Sequence, residues 1–144
     1  MLWFLLAILF VAPLVGIYFI IIRSVDRYAP EPWWLLFVCL MWGALGAVML
    51  AAAGNWIGKE AIAVALGRTS NDELVSHATA TFVAPLIEEP AKALGLLAIF
   101  LFSTRRVHET HGPLSGMVYG GIIGLGFTFT EDIDYIVRGA NEEG

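Results

Sequence analysis

The chain has 144 residues, 58% of them hydrophobic and 15% charged, with a net charge of −5 and a mean hydropathy of +0.76. Soluble domains carry about 25% charged residues, so a water-soluble globule and a disordered chain are both excluded. The acidic balance argues against a nucleic-acid partner, which selects a basic face. The single cysteine, Cys39, excludes a disulfide framework and a Cys-based zinc site within one chain.

The apolar residues fall into four blocks of membrane-spanning length. Residues 1–22 and 33–57 contain no ionised side chain. Roughly 20 helical residues cross a hydrocarbon core, so each reads as a transmembrane helix. Residues 75–102 are long enough but contain Glu88, Glu89 and Lys92, and residues 114–137 contain Glu131, Asp132 and Asp134. Trp33, Trp34, Trp56 and Tyr135 sit at block edges, as interfacial aromatics do. The first block has no basic stretch before Trp3 and no small-residue cleavage site after Ile22, so it reads as a retained anchor and not a cleaved signal. The blocks lack period-2 alternation, and an open sheet edge is not tolerated in lipid. The expectation is an all-α, polytopic bundle of four membrane-spanning helices forming one domain over residues 1–144.

The links 23–32 and 103–113 hold Arg23, Arg27, Arg105 and Arg106. The opposite side holds Lys59, Arg68 and Arg138. By the positive-inside rule this places the N-terminus and the 58–74 link outside. Residues 59–66 are expected as a short interfacial helix.

A charge at mid-bilayer costs about 2.5–3.5 kcal/mol on insertion scales and faces the bundle interior. Glu88 and Lys92 are four residues apart and share a helix face, where they can neutralise each other. Glu89 lies about 100° away and needs another partner or a proton. Pro85 and Pro90 deny the carbonyls of Thr81 and Leu86 their usual helical partners, which predicts a kink beside the carboxylates. Gly116, Gly120 and Gly124 form a stripe that admits close approach of another helix. Phe127, Glu131 and Asp134 fall in the same sector, so Glu131 is expected to face a neighbouring helix. Together these residues predict a polar pocket within the membrane. It suits a divalent metal with an activated water, or the passage of protons or ions; spacing alone leaves both open.

Glu88-Glu89-Pro90-Ala91-Lys92 resembles the EExxK motif of the PrsW family of intramembrane proteases, relatives of the CAAX-protease and bacteriocin-processing group. Residues 126–131, Gly-Phe-Thr-Phe-Thr-Glu, resemble its second motif, FxxxE. Residues 26–33 resemble the DRYxPEPW stretch between the first two helices of many members. The three occur in family order. The resemblance implies a multi-pass endopeptidase of a prokaryotic plasma membrane, dependent on a divalent metal such as zinc. Its substrates would be membrane-anchored regulators such as anti-sigma factors. It implies Glu88 as general base, Glu89 and Lys92 as its orienting and charge-balancing partners, Glu131 as a metal ligand (Glu88 being a second candidate ligand), and Phe127 as packing for the site. The family's third motif, His with Asp four residues on, has no counterpart: His77, His108 and His111 are followed at that place by Thr81, Gly112 and Ser115. His77 shares the face of Glu88 but lies about 16 Å along the helix. The chain thus reads as an N-terminal portion of the family's domain, inactive by itself. The rival expectation is a non-catalytic membrane scaffold or an ion-coupled transport fragment.

Overall fold

The computed structural model describes residues 2–25, 27, 30–103 and 112–142. The described chain is all-helical, with no strand among the described residues. Helix α1 spans Leu2–Val25. Helix α2, Trp33–Met41, runs through a π-helical turn, Trp42–Ala47, into α3, Val48–Leu66. Helix α4, Glu73–Ala78, passes through a second π-helical turn, Thr79–Val83, into α5, Ala84–Ser103. Helix α6 is Pro113–Glu142.

Two rods, Leu2–Val25 and Trp33–Leu66, are long and apolar enough to cross a bilayer. Only 11% of the apolar window of α1 is covered by protein. Its exposed Leu5, Leu9, Phe10 and Leu14 need an apolar surrounding. Those of its residues that are covered, Ala7 and Val11, pack with Ile133 of α6. A larger core joins α2 to α5 and α6 through Leu36, Cys39, Ile99, Val118, Ile122 and Ile123.

Residues 59–66 do not form a separate interfacial helix. They are the last turns of α3, because nothing in Lys-Glu-Ala-Ile-Ala-Val-Ala-Leu breaks a helix. The helix ends at Gly67, whose φ of 62° is the left-handed conformation that glycine adopts without penalty. Gly67 N–H donates to Val64 O and Arg68 N–H to Ala63 O at 2.9 Å, which satisfies the terminal carbonyls. Asp72 then caps α4 by accepting from Leu74 N–H at 2.9 Å.

The glycine stripe behaves differently from its expectation. A Cβ at Gly116, Gly120 or Gly124 would meet nothing within 4 Å, so among the described residues no helix packs closely on that stripe. Close approach uses other glycines. A Cβ at Gly43 would strike the Ile123 carbonyl, and one at Gly126 would strike the Leu40 carbonyl; these two seat α6 against α2 and the first π-helical turn. On the other side of the bundle a Cβ at Gly54 would meet Ile87, and one at Gly58 would meet Val83. That pair draws α3 and α5 together.

Helix α5 continues through Pro90. Pro85 stands in its first turn, where the missing N–H matters least. The π-helical register before it pairs a carbonyl with the N–H five residues on, which offers Thr81 the amide of Leu86 in place of Pro85. The bulge lies directly before Pro85, where the sequence predicts a kink. The 26–33 stretch is partly visible: Asp26, Tyr28 and Ala29 lie outside the described residues. Arg23 donates to the Glu31 carbonyl at 3.1 Å and covers the Trp33 ring at 4.6 Å. Tyr119 of α6 donates its hydroxyl to the Glu31 carboxylate. The link is thereby tied to the helix that carries Glu131.

Candidate active site

The site is built from α3, α5 and α6 over a small apolar floor of Ala47, Ala51, Ala91 and Phe127. Phe127 is 1% exposed, and its ring lies 4.0 Å beneath Lys92 Nζ, a cation–π contact. Trp42 of the first π-helical turn donates Nε1–H to the Ala91 carbonyl at 3.1 Å. Its ring fills the space over Gly95 and Gly46. These contacts fix α5 one residue before Lys92, at Ala91, and three residues after it, at Gly95.

Lys92 pairs with Glu89, Nζ to Oε1 at 2.8 Å, and not with Glu88 as the four-residue spacing suggests. A three-residue spacing serves an ion pair as well as four, and the Phe127 ring fixes which way the ammonium turns. The Glu89 side chain is 72% exposed and that of Lys92 22%. Glu89 is therefore the outer partner of a half-covered lysine. Glu88 is half-buried, and Asn55 of α3 donates to it, Nδ2 to Oε1 at 3.5 Å. Glu131 is half-buried on α6, one helical turn beyond Phe127. Asp134 turns outward and pairs with Arg138 at 2.8 Å. Next to Glu131, Thr130 donates its hydroxyl to the Ala44 carbonyl at 2.8 Å, within the first π-helical turn.

Asn55 and Thr130 are contacts that the sequence reading did not assign. Asn55 had a signal. It is a lone amide in an apolar block, between two glycines four residues apart.

Among the described residues no three His, Cys, Asp or Glu side chains form a metal-binding group. His77 is exposed and faces Glu73 at 3.5 Å. His108 and His111 lie outside the described residues. A catalytic zinc takes three protein ligands, so the described side chains do not fit that ion.

The comparisons agree with the motifs. The family model for PrsW-protease, described as PrsW family intramembrane metalloprotease, matches residues 31–144. The chain belongs to this family of membrane proteases. No match was found among curated proteins or among solved structures.

Proposed function

We propose that the chain is an intramembrane endopeptidase whose general base is Glu88. The observation that supports it is the seat of Lys92, 4.0 Å from the ring of Phe127, which stands one helical turn before Glu131 on α6, in a chain whose family is one of membrane metalloproteases. Water attacks the scissile carbonyl carbon and gives its proton to Glu88. The carbonyl π-electrons move to oxygen, and Lys92 stands near to offset the added negative charge. Glu88 then returns the proton to the leaving amine nitrogen as the C–N bond breaks. Glu89 holds Lys92 from outside, and Phe127 supports it from below.

The substrates this reading favours are single-anchor regulatory proteins, such as anti-sigma factors, in a prokaryotic plasma membrane crossed four times by this domain. Zinc, the metal that the resemblance implies, needs a ligand beyond Glu88 and Glu131.

The test places the protein in vesicles with zinc and a reporter bearing one membrane anchor. Cleavage by the wild type and its loss in Glu88→Gln support the reading. Undiminished cleavage by Glu88→Gln ends it. A second reading, a non-catalytic relative, draws on the absence of a three-ligand group among the described residues. It predicts no cleavage by any form.

A further inference from the structure

Away from the candidate site, the corner between α1 and α2 holds an open cleft of about 450 Å³. Its lining changes character along α1. Phe19 and Ile20 come first, Arg23 and Ser24 follow one turn later, and Arg27 in the link continues the polar end. Trp33, the first residue of α2, completes the wall. Arg23 is held in place there. Its guanidinium lies 4.6 Å over the Trp33 ring and donates to the Glu31 carbonyl at 3.1 Å, and Phe19 stacks on the same ring at 6.0 Å. No acidic side chain among the described residues lines the cleft. The Glu31 carboxylate is engaged instead by the Tyr119 hydroxyl. Ser24 donates its hydroxyl to the Ile21 carbonyl at 2.7 Å. The donors this cleft offers to a ligand are therefore those of two guanidiniums.

We propose that this cleft binds one anionic phospholipid, with its phosphodiester against Arg23 and Arg27 and an acyl chain along Phe19 and Ile20. Charge complementarity identifies the headgroup. Both arginines have partners within the protein, but a guanidinium carries five N–H donors in a fork that suits phosphate oxygens. Position identifies the lipid. Helix α1 is long and apolar enough to cross a bilayer, and Arg23 stands in its last turn. The cationic end of the cleft thus lies where the helix leaves the hydrocarbon, at the level of lipid phosphates and of interfacial tryptophans such as Trp33. The apolar end separates a lipid from a free phosphate. Ile20 is 68% exposed, and only an acyl chain covers it. A zwitterionic headgroup is disfavoured, because it brings its own cation to two arginines. The bound lipid ties α1, which little protein covers, to the start of α2.

The test needs no turnover. The purified protein in a non-ionic detergent is titrated with dioleoylphosphatidylglycerol or dioleoylphosphatidylcholine, and native mass spectrometry follows each bound copy. The first copy of the anionic lipid is expected to bind at least about fivefold more tightly than the zwitterionic one. An arginine near a membrane surface contributes about fivefold in affinity for anionic lipid. Arg23→Gln and Arg27→Gln should therefore each weaken the first copy about fivefold, and the double variant about twenty-five-fold. Arg27→Lys keeps the charge and should lose less than Arg27→Gln. Arg138→Gln removes a cation from α6, away from the cleft, and should change nothing. Circular dichroism reports whether each variant is helical. Arg23 also holds the Glu31 carbonyl, so if Arg23→Gln does not fold, Arg27→Gln decides. Equal affinity for the two lipids, an unchanged first copy in Arg27→Gln, or an equal loss in Arg138→Gln overturns the inference. Displacement of the lipid by an excess of inorganic phosphate would show a site for a free anion and overturns it as well.

Discussion

Glu88 and Glu89 are adjacent in sequence and stand in opposite surroundings. Glu88 points inward to the Asn55 amide, while Glu89 is largely exposed and pairs with Lys92. Equal roles are therefore not expected. Glu88→Gln keeps the shape, removes the proton acceptor and should abolish cleavage. Glu89→Gln loses the outer ion pair, and Lys92 keeps its seat on Phe127. It should retain a measurable fraction of the rate, and both variants should insert as the wild type does. Reporter cleavage beside a membrane-fraction blot checks the pair. Full activity in Glu88→Gln with loss in Glu89→Gln would reverse the assignment. The motif Glu-Glu-x-x-Lys is legible in the sequence. Which carboxylate takes the lysine is not, because both spacings suit an ion pair and a ring from another helix decides.

At the level of the helices, two glycine substitutions separate the expected packing from the observed packing. Gly95→Val drives a side chain into the Trp42 ring, and overpacking of this kind costs about 1–3 kcal/mol. Gly120→Ala enters open space and removes a flexible residue from mid-helix, for a gain of about 0.5–1 kcal/mol. Denaturation in detergent micelles should show the first variant less stable and the second equal or more stable than wild type. A destabilising Gly120→Ala would restore the stripe as a packing face. The α3–α4 link adds a pH dependence. Asp72 is half-buried, and the hydrogen bond from Arg68 at 2.8 Å holds its carboxyl below the usual value of 3.8. A group whose folded pKa is depressed contributes stability above its unfolded pKa and loses it as pH falls through the folded one. The Leu74 amide, which Asp72 caps, should therefore keep constant hydrogen-exchange protection from neutral pH to about 5 and lose it below the usual carboxylate value. Protection that is flat to the acid limit would show the cap to be unimportant.

For the whole molecule, the proposed topology of four crossings with the N-terminus outside would place the link after Gly67 outside and the link after Val25 inside. Arg27 and Asn71 are both exposed, and the native Cys39 is buried, so single cysteines can be introduced without removing it. An impermeant thiol reagent added outside intact cells should label Asn71→Cys and spare Arg27→Cys. The reverse pattern would invert the topology, and labelling of both would remove one crossing.

The sequence by itself determined the helical class, the apolar character of the first two rods and the family, since apolar block length, the lack of period-2 alternation and the spacing of Glu88, Lys92, Phe127 and Glu131 are all local properties. Tertiary structure decided the rest. Whether Gly116 or Gly126 receives a neighbour depends on the rotation of α6 about its axis, set by Tyr119 on Glu31 and by Thr130 on Ala44. The π-helical turns at Trp42–Ala47 and Thr79–Val83 each shift the following helix face by about one residue, roughly 100°. Face assignments read from an ideal helix therefore fail beyond them. Asn55 meets Glu88 because α3 and α5 close on Gly54 and Gly58, a long-range contact that no local pattern around either residue contains.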